Sequence, residues 1–488
     1  MCQLPFTSLN YGTCTLPEGR MVIKYLLEIL VDGLGTHHRT SVFPCGIFQL
    51  KTGVNKKPGD PNYDLFRLAL KATALRLYPN YCNCDWSVQE NCVRLDREAK
   101  ARVLSGLDNA AFDRLSENLK QHPEQLPLLG LEFKDGNLQV RQEETPLEMN
   151  GTMGCRTWNG FDVNFEEDYR KNVAKVINGE LLPDYVQTSG IQKDGRGNIC
   201  PVTIILPTVA MEAGRDVEKF MDLLDKRIHE AMLMLIERFE YMCSQSAASA
   251  TFMYENNTMV GYNPEEGVRS ALKHGTLVIG KLGLAETLQL LIGCDHTEPK
   301  GMELAKRIQQ LYKDRCNEFK KKYKLNVGVY ETPAENLAYT ALLRFRNKYG
   351  IIPKVSDRTF FTNSSHVPVW KNMNPFEKID IESQLTGYTS AGAITYVELE
   401  GACKNNIDAL ETLVNYAMDK DVPYFGINLP NDQCMDCGYL GEFNDECPEC
   451  HSERIMQLRR VTGYLTSDYK TAFNPGKIDE TDHRVKHK

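Results

Sequence analysis

The sequence has no excess of positive charge. Its 57 lysines and arginines are outnumbered by 65 acidic residues, for a formal net charge of −8, so there is no basic field to draw the chain onto a nucleic-acid backbone. The basic tail Arg484-Val485-Lys486-His487-Lys488 is too short to change that balance. No apolar run is long enough to span a bilayer. Met1 is followed by polar and mixed residues, without the charged start and apolar core of a signal peptide. Internal repeats and long low-complexity segments are missing as well. These absences speak against nucleic-acid and membrane partners. What the chain does have is cysteine: sixteen of them without a secretion signal. That combination points to a reducing cytoplasm, where thiols serve metal binding or catalysis.

Hydrophobic content of 42% and charged content of 25% are ordinary for a globular protein. The length predicts roughly two to four domains around a large core. Residues 21–32 have helical spacing that stops at Gly33, and 41–50 reads as a buried strand. An amphipathic helix is expected from about Leu65 to Tyr78. Residues 82–150 are polar, and short helices and a loop are expected there, as an insertion on the outside of the fold. Further strands are expected at 195–207, 390–401 and 424–430, a strand, a turn and a helix at 270–293, and a strand then a helix at 328–345. Helices are expected at 216–244 and 301–324, and Pro333 is expected at the start of another. This alternation of strand and helix predicts an α/β protein with helices packed outside a sheet.

Two stretches carry chemistry. Cys434/Cys437 and Cys447/Cys450 are two Cys-x-x-Cys pairs with nine residues between them. Two such hairpins facing each other place four thiolates in a tetrahedron, which suits structural zinc; free or disulfide-bonded cysteines are the alternative. The second stretch is Gly151-Thr152-Met153-Gly154-Cys155-Arg156. Its glycines suggest a tight loop tip that lifts one sulfur into a cavity, against the plainer reading of a buried cysteine in a turn. Cys82, Cys84 and Cys92 lack a second well-spaced pair and read as free thiols.

Beyond the cysteine pairs, Arg460-Val461-Thr462-Gly463-Tyr464-Leu465 and a following Phe-Asn-Pro-Gly-Lys resemble the C-terminal domain of the anaerobic (class III) ribonucleoside-triphosphate reductases. The likeness extends upstream through the Met153–Cys155 loop and Gly195-Arg196-Gly197-Asn198, and begins almost at Met1. It implies a ten-stranded α/β barrel, only partly represented here, with a finger loop inside. The implied domains are early barrel at 1–81, insertion at 82–150, barrel with the finger loop at 151–430, and a zinc and glycyl-radical domain at 431–488. It implies a stable backbone radical on Gly463, a transient thiyl radical on Cys155 with Met153 beside it, and Asn198 near the reductant. A glycine radical is stabilised because no side chain prevents the flanking amides from delocalising it. The implied reaction replaces the 2′-OH of a ribonucleoside triphosphate by hydrogen, with formate as co-substrate. The implied partners are a radical-SAM iron–sulfur activating enzyme and a second copy of the chain.

The sequence also departs from the family pattern. The family places another catalytic cysteine on an early strand, well upstream of the thiyl cysteine, and only 154 residues precede Cys155 here. A split gene with a separately encoded N-terminal piece, a fragment and a degenerate copy all fit. The chain alone is then expected to form radicals without making deoxynucleotides. Another glycyl radical enzyme of the formate-lyase kind, or a zinc-ribbon binding protein, are the competing readings. The four cysteines argue against the former, and the acidic charge argues against a nucleic-acid-binding form of the latter.

Overall fold

The apolar run Cys45–Leu50 is buried at every position and forms the second strand of a five-stranded sheet. The structure, a computed structural model, describes residues 7–487 except 144–147, 185, 194, 257, 260, 444, 462, 463 and 467. Its strands are β1 Ser8–Tyr11, β2 Cys45–Leu50, β3 Asn80–Asn83, β4 Leu131–Lys134, β5 Asn137–Val140, β6 Asn198–Ile205, β7 Thr276–Leu282, β8 Asn326–Tyr330, β9 Thr395–Glu398, β10 Tyr424–Asn428, β11 Asn431–Cys434, β12 Leu440–Gly441, β13 Ile455–Val461 and β14 Tyr464–Thr466.

The five-stranded sheet has the order β1-β2-β3-β10-β9. β1, β2 and β3 run parallel, β10 is antiparallel to β3, and β9 is parallel to β10. A second sheet, β6-β7-β8, is all parallel. One segment stitches the two sheets together. The amides of Ser390 and Ala391 donate to Val329 O at the edge of β8, and Glu331 N donates to Gly392 O, just before the chain enters β9. Pro201 sits in β6, an edge strand, beside an irregularity between Ile199 and Val202. An edge or a bulge is where a residue without an N–H is tolerated in a sheet.

Helices cover the outer faces. The helix Val217–Cys243 is capped by Asp216, whose side chain accepts from Lys219 N. It buries Phe220, Leu224, Ile228, Ala231, Leu235 and Phe239 against the second sheet. The helix Pro17–Asp32 ends at Gly33, as its sequence predicts. Pro333, in contrast, lies ahead of its helix, Leu337–Tyr349, rather than at its first turn.

The block after β3 differs from expectation. Cys82 and Asn83 belong to β3, a short strand between β2 and β10, so the block begins beyond them. Short helices are present at Asn109–Gln121, capped by Asp108, and at Gln125–Leu129, but they follow a longer one, Ser87–Ser105, of 19 residues. Instead of a loop it carries the β4–β5 hairpin. Four-residue β3 is too short for its alternation to show in the sequence. The block has its own apolar cluster, in which Leu115, Leu119, Leu129, Phe165 and Tyr169 pack away from the two main cores.

That separation is testable. Leu119→Ala removes a fully buried side chain and should cost about 2–5 kcal/mol locally. Hydrogen–deuterium exchange should rise in 87–177 and stay unchanged in β2 and β10. Equal acceleration across the five-stranded sheet would show one cooperative unit instead.

Candidate functional site

The loop at Cys155 is a closed hairpin. Met153 N donates to Thr157 O at 2.8 Å and Thr157 N returns to Met153 O at 3.0 Å. Gly154 has φ +57°, the left-handed region that glycine enters at no steric cost. Half-buried Cys155 occupies the centre of this turn. The inner face of the five-stranded sheet holds the loop from one side. Asn10 Nδ2 donates to Thr152 O at 3.0 Å, and Ser8 Oγ accepts from Gly154 N at 3.1 Å. Gln49 Nε2 donates to Asn150 O at 2.8 Å, and Cys82 Sγ lies 3.6 Å from Thr152 Oγ1. From the other side, the stitching segment presses so closely that a Cβ at Gly392 would come within 1.9 Å of Arg156 O. Arg156 is fully buried and donates to Glu331 O at 3.2 Å.

The strand register brings a second thiol to this loop. Ser8 on β1 is paired with Cys45 on β2, so both side chains point to the same face. Cys45 is completely buried, its sulfur 3.9 Å from Tyr424 Oη. It lies within electrostatic reach of Cys155 and of Arg460. Burial raises its pKa above the ordinary thiol range, so it stays protonated at neutral pH. Tyr396 likewise lies within electrostatic reach of both Cys155 and Arg460, whose guanidinium sits 6.0 Å from the Tyr396 ring centre. Sequence reasoning passed over Cys45 and Gly392. Nothing local marks either, since β2 is buried at every position and shows no alternation.

Asn198 opens β6, and its Nδ2 donates to Ala391 O at 2.8 Å. The same carbonyl accepts from Trp158 N at 3.1 Å, which ties Asn198 to the Cys155 loop through one peptide group. Asn198 Oδ1 is buried without a partner among the described residues. The loop Thr362–Ser365 lies close by, but its serines are spent inward. Ser364 Oγ donates to Thr332 O at 2.7 Å, and Ser365 Oγ lies 3.2 Å from Glu331 Oε1. A cavity of about 60 Å³ opens beside Tyr396 and Arg460, walled also by His366, Lys378, Arg484 and His487.

Arg460 belongs to the small C-terminal sheet β12-β11-β13-β14. β13 and β14 pair with Val461 opposite Tyr464 and so bracket Thr462 and Gly463, which lie outside the described residues. The same sheet carries the four cysteines. Cys434 and Cys450 have their sulfurs 3.5 Å apart, Cys437 and Cys447 3.6 Å, and all four lie within 4.8 Å of one another. Four thiolates about 2.3 Å from one ion would be about 3.8 Å apart, so the cluster has the dimensions of a tetrahedral metal site. Burial opposes ionisation of Cys434, but the backbone amides of Cys437 and Asp436 overcome it and pull that thiol down to about 6. No helix among the described residues is long and apolar enough to cross a membrane.

Known proteins resemble this chain in sequence and in fold. The chain is 30% identical to the anaerobic ribonucleoside-triphosphate reductase of Escherichia coli (strain K12), a match that covers 99% of the chain and 59% of that enzyme. The chain thus spans under two thirds of its relative's length. In fold it resembles an anaerobic ribonucleotide reductase, with TM-score 0.59 at 14% identity over 99% of this chain and 64% of that one. It also resembles the B12-independent glycerol dehydratase from Clostridium butyricum, with TM-score 0.53 at 11% identity over 99% and 57%. The family model for anaerobic ribonucleoside-triphosphate reductase matches residues 2–487, and the chain belongs to that family.

Proposed function

We propose that this chain is the radical-bearing part of an enzyme that reduces ribonucleoside triphosphates to 2′-deoxyribonucleoside triphosphates. The observation that carries the reading is convergence. Cys155, and Arg460 three residues before Gly463, reach the same two neighbours, Cys45 and Tyr396, from distant parts of the sequence. Direct hydrogen transfer between Gly463 and Cys155 needs this kind of closeness. Cys155 gives its hydrogen to the Gly463 radical and then takes one from the ribose C3′. Met153 closes the hairpin that presents the sulfur.

Loss of the 2′-hydroxyl as water needs a proton and two electrons. With formate as reductant the sum is NTP + HCOO⁻ + H⁺ → dNTP + CO₂ + H₂O. Cys45 is the candidate for the second thiol that the sequence reading found missing. It is protonated, lies on the inner face of the sheet, and stands one strand from the residue that holds the Cys155 loop. Asn198, tied to the Cys155 loop through Ala391 O, is the candidate for the residue near the reductant.

The eight strands of the two main sheets form two arcs joined at β8 and β9. In a ten-stranded barrel, two more strands would stand between edge strands β1 and β6. Further polypeptide would supply them, and a second copy of the chain would complete a homodimer. A radical-SAM activating enzyme would generate the Gly463 radical. The four cysteines would hold zinc, which serves to fix β11 and β13 and so aim the strands that bracket Gly463.

The purified chain should contain about one zinc, lost on Cys447→Ser/Cys450→Ser. Metal analysis with unchanged zinc in that variant would remove the assignment.

Anaerobic treatment with an activating enzyme should give a glycyl doublet in the electron paramagnetic resonance spectrum, and later air exposure should cleave the chain at Gly463. Gly463→Ala should show neither. Cleavage at the same place in unactivated protein would mean ordinary proteolysis.

Cys45→Ser should keep the doublet and the exchange of the C3′ hydrogen, while deoxynucleotide formation falls by roughly a hundred- to ten-thousand-fold. An anaerobic assay with formate, run with and without an N-terminal piece, reads this out. Undiminished turnover would place the second thiol elsewhere.

A further inference from the structure

A cavity of about 370 Å³ lies away from the Cys155 loop, between the helix Phe165–Ile177 and the segment 259–274. Its walls include Lys171, Lys175, Gln187, Tyr262, Lys273 and His274. The volume falls in the range of small-molecule sites, on the order of 300–1,000 Å³.

The cavity is rich in cations, and one carboxylate is shared among them. Asp168 Oδ2 is 2.7 Å from Lys273 Nζ and 3.5 Å from His274 Nε2, and Asp168 Oδ1 is 3.7 Å from Lys171 Nζ. Lys171 also meets Glu167 at 3.1 Å. Lys175 has no ion pair among the described residues, and Glu266 is the other acid in the lining. The histidine is built in rather than loose. It is buried, and its Nδ1 lies 2.6 Å from Asp162 Oδ2. Asp162 is itself buried, which favours its neutral form. The contacts from His274, Arg196 and Asn326 outweigh that and hold it ionised. An ionised Asp162 fixes the His274 Nδ1–H as a donor and turns Nε2 toward Asp168 and the cavity. Gly261 packs against this nitrogen, where a Cβ would come within 2.8 Å.

The second observation is Gln187, only 7% exposed. Its Nε2 is committed to Asp162 Oδ2 and Ser189 O, both at 3.2 Å, which fixes the amide. Its Oε1 is then left in the wall with no partner among the described residues. A buried acceptor in this position costs about 1–3 kcal/mol unless a donor arrives. Tyr262, stacked at a tilt on Tyr254 with 5.2 Å between ring centres, and buried Met259 supply an apolar side.

We propose that this cavity binds a small hydroxyl-bearing phosphate ester. The phosphate sits among Lys171, Lys175 and Lys273, a ligand hydroxyl donates to Gln187 Oε1, and the carbon skeleton rests on Tyr262. A sugar phosphate and a nucleoside monophosphate share this chemistry. The inference is independent of the radical reading, because it uses none of its residues.

The test is isothermal titration of the full chain with ribose 5-phosphate, AMP and inorganic phosphate. One saturable site for at least one ester is expected, tighter than for inorganic phosphate. Tighter binding of ribose 5-phosphate identifies a sugar ester, and tighter binding of AMP a nucleotide. Lys171→Gln/Lys175→Gln, which changes only exposed side chains, should weaken it roughly tenfold. Gln187→Leu should weaken the ester and leave inorganic phosphate unaffected. Protection of Lys175 and Lys273 from acetylation, read by mass spectrometry, should accompany binding and separate this cavity from the nucleotide site near Cys155. No saturable binding, or binding that the lysine variant leaves unchanged, overturns the proposal.

Discussion

Everything near Cys155 depends on a buried polar frame beneath it. Lys281 and Glu331, both buried, meet at 2.7 Å. Gln309 Nε2 and the Ser365 amide also donate to Glu331, at 3.2 and 3.0 Å. Burial alone would push the Glu331 carboxyl toward its neutral form, but Lys281 holds it below the usual range. The Glu331 peptide carbonyl accepts from Arg156, and its amide donates to Gly392 O. One residue therefore anchors both the residue after Cys155 and the segment pressed against it. Removing one partner of such a buried pair typically costs about 3–5 kcal/mol, because the other charge is left uncompensated. Here that cost would be felt at the thiol loop.

The zinc-type knuckle and the Cys155 loop solve the same problem in different ways. Each must hold a short backbone segment in place. The C-terminal sheet uses the four cysteines and a buried aspartate, Asp432, which pairs with Arg459. The tail reinforces it, since Arg484 donates to Arg460 O at 3.1 Å and the His487 amide donates to Glu398 O at 2.7 Å. The Cys155 loop instead borrows its rigidity from strands on both sides.

Much of this was legible in the sequence. The stripe from Phe220 to Phe239 marks its helix to within a residue, because 3.6-residue periodicity over 27 residues is hard to mistake. The four cysteines declare themselves by spacing. β3 was not legible as a strand, since four residues buried on both faces carry no alternation. The place of Cys45 beside the Cys155 loop was hidden for another reason. It depends on the pairing of Ser8 with Cys45 and on the packing of residues 150–154 against β1, and neither follows from local pattern. Gly392 shows the same limit, because its lack of a side chain matters only to a carbonyl far away in the chain.

The place of β10 in the first sheet has a consequence for biosynthesis. Asn80 and Tyr424, hydrogen-bonded across β3 and β10, are 344 residues apart in the chain. At roughly 5–20 residues per second, a ribosome needs on the order of 20–70 s to deliver the second after the first. Through that interval β3 has β2 on one side and an open row of amides and carbonyls on the other, and such an edge pairs readily with foreign strands. A nascent chain of this kind is a natural client for holding chaperones, and its yield in a heterologous host should depend on how fast the codons between Asn80 and Tyr424 are read.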